Sequence, residues 1–95
     1  MTGYLHLELT DVDLFCNNIN AFKSEVVAIK NGEEVYIKSL ISLLTLDFSN
    51  EICVKIKSTD DYELKLFKEI IKRYGGRIDD KNWFFIKMWY SEYSC

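Results

Sequence analysis

The 95-residue chain has no proline, a single histidine, three cysteines and four glycines. Lacking proline and any Gly/Ser-rich tract, it carries no mark of a flexible linker or a low-complexity segment. His6 and the cysteines Cys16, Cys53 and Cys95 do not fall into metal-ligand spacing, so no metal site and no cofactor are expected. Reduced thiols are the simplest account of the odd cysteine count. There is no basic excess: 12 basic against 15 acidic residues leave a net charge of -3, which weighs against a nucleic-acid binder. No apolar run approaches the ~20 residues of a membrane span. Met1 is followed by a short polar start, which argues against a signal peptide. A cytoplasmic location, with no membrane contact, is the expectation.

What is present is a composition of 48% hydrophobic and 28% charged residues, as in one globular domain. A chain this short buries about 60–65% of its unfolded surface. Leu5, Leu7 and Leu9 alternate with His6, Glu8 and Thr10, which predicts a half-buried strand. Thr10 or Asp11 then offers a helix cap, and Val12, Phe15, Ile19 and Phe22 follow at helical spacing. Val27 and Ile29 point one way on a second strand. Asn31-Gly32 is a two-residue hairpin signal, and Val35 and Ile37 continue on the return strand. Ser39 caps a short helix with Leu40, Leu43 and Leu44. Asp47 to Asn50 is turn-like, and Ile52, Val54 and Ile56 alternate with Cys53, Lys55 and Lys57 in a fourth strand. Asp60 and Glu63 have capping-box spacing before a helix carrying Leu64, Phe67, Ile70, Ile71 and Tyr74, and Gly75 suits its C-terminal stop. Lys55, Lys57, Lys65, Lys68 and Lys72 read as a solvated face. The expected order is β-α-β-β-α-β-α, an α+β open-faced sandwich with helices on one side of a four-stranded sheet.

Beyond Gly76 the character changes. Arg77 to Asn82 is polar, and an aromatic-rich run from Trp83 to Tyr90 follows, read as a strand. Trp83, Phe85 and Trp89 are interface candidates, because aromatics dominate interface cores. The extension 77–95 is expected to pack on the sheet face that carries Cys53, Lys55 and Lys57, on itself, or on a second copy. Nucleic-acid stacking on the same rings is disfavoured by the acidic balance.

The hairpin NGEEVYIKS running into LISLLTL, the closing STDDYELKLFKEIIKRYGG and the element order together resemble the histidine-containing phosphocarrier (HPr) family over about residues 4 to 75, defining a domain 1–76. That resemblance implies a role in the sugar phosphotransferase system. In the family a histidine at the start of the first helix carries the phosphoryl group, where free backbone N–H groups and the helix dipole stabilise it. Here the corresponding connection is Thr10-Asp11-Val12-Asp13, without histidine, arginine or proline. Its carboxylates disfavour an incoming phosphate. His6 lies on a predicted strand and is read as a surface residue. Ser39 matches the family's regulatory phosphorylation site, although a cap alone explains a serine there. Leu40, Ile41 and Leu44 match the positions through which the family binds partners, while Leu43 reads as core. The chain is therefore expected to be no enzyme but a degenerate HPr-like regulator or binding protein. Phosphotransferase components or a serine kinase are its expected protein partners, and a homodimer remains open. The alternatives are a phosphocarrier using His6 and an oligomerisation module that keeps only the fold.

Overall fold

The computed structural model describes residues 1–79. They form a small α+β fold whose elements run β1 (Thr2–Leu5), α1 (Val12–Ile19), β2 (Glu25–Lys30), β3 (Glu33–Tyr36), α2 (Leu40–Leu43), β4 (Ile52–Lys57), α3 (Asp61–Arg73) and β5 (Arg77–Ile78). A single turn of 3-10 helix, Leu9–Asp11, precedes α1. The five strands make one antiparallel sheet in the order β3-β2-β4-β1-β5. Through α3 the order is the one expected from the sequence, but the sheet has five strands where four were expected, because Arg77 and Ile78 add β5 beside β1.

The register decides which residues share a face. Ala28 and Gly3 stand beside Val54, Val26 beside Ile56, and Leu5 beside Ile52. All of these strand residues but Gly3 join Phe15 and Ile19 of α1, Leu43 of α2 and Phe67, Ile70 and Ile71 of α3 in one buried cluster, so the helices cover one face. Alternation sends Thr2, Tyr4, Val27, Ile29, Cys53 and Lys55 to the other face. Val27 and Ile29 do point one way, but away from the helices, whereas Val35 pairs with Ala28 and packs against the core.

The turns follow their residues. Asn31 and Gly32 have φ of 53° and 80°, as a type I′ hairpin requires. At the end of α3, Gly75 N–H donates to Lys72 and Gly76 N–H to Ile71, the double closure of a Schellman stop. Gly76 is then pressed against β1: a Cβ there would collide with the Tyr4 carbonyl oxygen. That approach lets Arg77 and Ile78 pair with Tyr4 and Gly3. Arg77 stacks 4.4 Å from the centroid of the Tyr4 ring and reaches Glu51 at 3.1 Å.

Three local expectations are corrected. The first strand stops at Leu5, because its partner β4 begins at Ile52, opposite Leu5. Leu7 is still buried, but Leu9 sits in the 3-10 turn and is 67% exposed. Phe22 is buried although α1 has ended at Ile19, since the chain turns it back to meet Phe67 edge-on at 6.2 Å. Reduced thiols hold for Cys16, which is free and buried, and not for Cys53, which is disulfide-bonded.

Replacing Gly76 with alanine is expected to destabilise the fold by about 1–3 kcal/mol, since the methyl group meets backbone and cannot be accommodated by a rotamer change. The urea midpoint of Gly76→Ala against the parent chain measures it.

Candidate functional site

The step before Ser39 is tied to α1. Asn20 Nδ2 donates to the Lys38 carbonyl at 3.0 Å and to the Cys16 carbonyl at 2.9 Å, and the Cys16 thiol also faces the Lys38 carbonyl at 3.5 Å. Burial, with the charge of Asp13 behind it, pushes the Cys16 thiol up. The Lys38 ammonium turns back to the Phe22 carbonyl at 2.5 Å and is thereby committed. Ser39 follows in extended conformation (φ -84°, ψ 119°), exposed, its hydroxyl accepting from Ser42 N–H at 3.4 Å. It is the N-cap that the sequence predicts. At the other end Thr45 donates to the Ser42 carbonyl at 2.6 Å, and the Lys30 ammonium to the Thr45 carbonyl at 2.9 Å.

A helix of four residues held at both ends can bury only one stripe. Leu43 fills it and is inaccessible. Leu40, Ile41 and Leu44 are left outside, 38%, 80% and 49% exposed. The structure thus brings the three residues singled out in the sequence into one apolar face next to Ser39. Exposed Leu9 and Leu14 add apolar surface on the 3-10 turn and on α1. Leu14 falls outside the Val12–Phe15–Ile19 spacing, which was the available signal for its exposure.

His6 lies just beyond β1 and is exposed, its Nε2 2.8 Å from the Phe48 carbonyl, to which it donates in the matching tautomer. It precedes the 3-10 turn by three residues and α1 by six, and so stands at neither helix N-terminus. Asp11 stands at the N-cap of α1 without a side-chain cap bond, and Asp13 occupies the first turn. Trp83, Phe85 and Trp89 lie outside the described residues, as does the strand expected over Trp83 to Tyr90. Among the described residues, no group of three or more His, Cys, Asp or Glu side chains is arranged to hold a metal ion, and no helix is long and apolar enough to cross a membrane.

The most heavily hydrogen-bonded carboxylate serves the fold. Glu63 is 8% exposed and accepts from Ser24 Oγ at 2.5 Å, Lys23 N–H at 2.7 Å and Ser58 Oγ at 2.9 Å. The expected capping box is therefore not formed by Glu63. Asp60 caps Tyr62 N–H at 3.1 Å, and Ser58 Oγ, not Glu63, accepts from Asp60 N–H. Glu63 is diverted because the α1–β2 connection brings it two donors, Lys23 N–H and Ser24 Oγ, while Ser58 Oγ takes the Asp60 N–H. The Ser24 hydroxyl first, then the Lys23 amide and the Ser58 hydroxyl, outweigh burial and hold its carboxyl down from 4.5 to about 2. Around it Lys23, Ser24, Lys57, Ser58 and Asp60 line an open hollow.

A carboxyl held low in the folded state adds stability that is complete above its unfolded value of 4.5 and is lost as pH falls through about 2. The parent chain is therefore expected to lose stability progressively below pH 4.5. Glu63→Gln, which cannot titrate, is expected to be less stable at pH 7 and to lack this part of the slope. Denaturant titrations between pH 7 and 2 of both proteins read it.

Against family models, curated proteins and solved structures the chain shows no match.

Proposed function

We propose that the domain is a non-catalytic protein-binding module that engages its partner through the outer face of α2. The observation that carries this reading is the exposure of Leu40, Ile41 and Leu44 on one short helix whose ends are fixed. Three large apolar side chains in water are costly to keep unless something covers them at times. Their helix is anchored on α1 through Lys38, so little ordering is needed on binding.

The finer proposal is that the chain is a degenerate HPr-like regulator connected to the sugar phosphotransferase system. The element order and the segment from Asn31 to Leu46 support it, and the acidic start of α1 argues against transfer by histidine. Ser39 would be its switch. A phosphate on that exposed hydroxyl adds about two negative charges at the edge of the apolar face and replaces the bond to Ser42 N–H. In this reading the protein acts in the cytoplasm.

Two measurements test the proposal. With ATP and the HPr serine kinase, intact mass is expected to show one acid-stable phosphate that disappears in Ser39→Ala. With the isotope-labelled protein titrated by the kinase and by the general phosphotransferase, amide shifts are expected to cluster on α2. Ile41→Asp or Leu44→Asp is expected to weaken that binding at least about tenfold with far-UV circular dichroism unchanged. Absence of both phosphate and shifts would remove the phosphotransferase connection; shifts elsewhere, untouched by the two variants, would remove the α2 face.

A further inference from the structure

The sheet has a second face, and its centre is not built like a solvated one. Tyr4 and Ile29 flank Cys53 on neighbouring strands, and Thr2 and Val27 flank Lys55. Val27 is fully buried and Thr2 is 4% exposed, yet Val27 is no member of the core cluster beneath the helices. The described chain ends at the rim of this face, where Asp79 N–H donates to the Thr2 carbonyl at 2.8 Å. Sixteen residues follow (95 − 79), with Trp83, Phe84, Phe85, Ile86, Met88 and Trp89 among them. Extended, that length spans at most about 53–58 Å, whereas β1 to β3 is three strand spacings, about 14 Å. The segment is long enough to cross the face and return. Its aromatic content is out of place in water and suited to an apolar sheet surface. A covalent observation points the same way. Cys53, in the middle of this face, is disulfide-bonded, Cys16 is free, and the sequence holds one further cysteine, Cys95, at the end of the segment.

We propose that residues 80–95 dock in cis across the second face of the sheet and are fastened there by a disulfide between Cys53 and Cys95. Closing the bond removes one proton and one electron from each thiol. A disulfide oxidant such as oxidised glutathione takes the electron pair and is reduced to two thiols. The apolar docking does not require the bond; it brings the two sulfurs together so that the bond closes readily within one chain. In reducing surroundings the segment is held by its apolar surface alone.

The full chain tests this, because Trp83 and Trp89 are its only two tryptophans and report on this segment alone. Indole emission and acrylamide quenching are read in reductant and after treatment with oxidised glutathione, across a hundredfold range of protein concentration. The oxidised protein is then mapped by proteolysis without reduction. The expected result is blue-shifted, poorly quenched emission at every concentration in both states, with a Cys53–Cys95 peptide from a monomer. Ile29→Lys, on the second face, is expected to redden the emission of the reduced protein, and Ile41→Lys, on the helix side, to leave it unchanged. Emission of water-exposed indoles in the reduced protein overturns the docking. So does emission that turns blue only on concentration, or a link between two chains, either of which gives the face to a second copy. Glutathione left on both cysteines, with no link, overturns the fastening.

Discussion

A single carboxylate governs how the pieces of this fold meet. Glu63 takes hydrogen bonds from the connection that leads into β2 and from the one that leaves β4. Those connections enter and leave neighbouring strands, and Glu25 pairs with Lys57 just beyond them. The first turn of α3 is thereby set over the end of the sheet, and Phe67, one turn on, drops into the core against Phe22. Each oxygen of the carboxylate is satisfied, which is the condition for keeping a charge out of water. Removing the charge would leave the Ser24 and Ser58 hydroxyls and the Lys23 amide in competition for too few acceptors.

Much of the architecture could be read from short-range chemistry. Asn31-Gly32, Ser39, Asp60 and the Gly75-Gly76 pair each do at their position what the residue type favours, because turns and caps depend on a few neighbouring atoms. The strict alternation of Ile52, Val54 and Ile56 likewise named the face of β4 correctly. Legibility failed where tertiary partners choose. Val26, Val27, Ala28 and Ile29 are all apolar, so period two cannot say which pair meets the helices; the register with β4 does. Leu9 continued an alternation that no partner strand extended. Glu63 had the spacing for a local bond and was claimed by donors about 40 positions away in sequence.

The candidate site divides in the same way. That Leu43 packs inward while Leu40, Ile41 and Leu44 remain outside follows from helical spacing once Ser39 is the cap, so this face was visible beforehand. What holds it was not. Asn20 and Cys16 reach the Lys38 carbonyl across 18 and 22 residues, and no local pattern marks either of them as an anchor. The α2 face is anchored by residues on and just after α1, and that anchoring is what would make it a docking surface and not a loose apolar loop.

The sulfur of Cys16 carries one more consequence. It is sealed between α1 and the chain entering α2, with its thiol held in the protonated form. A thiolate-seeking reagent therefore meets it only when that seam parts. Its modification rate reports every opening that parts the α1–α2 seam, whether local or global. The molecule thus carries an internal gauge of how often its anchored helix comes loose, and at what free energy relative to global unfolding.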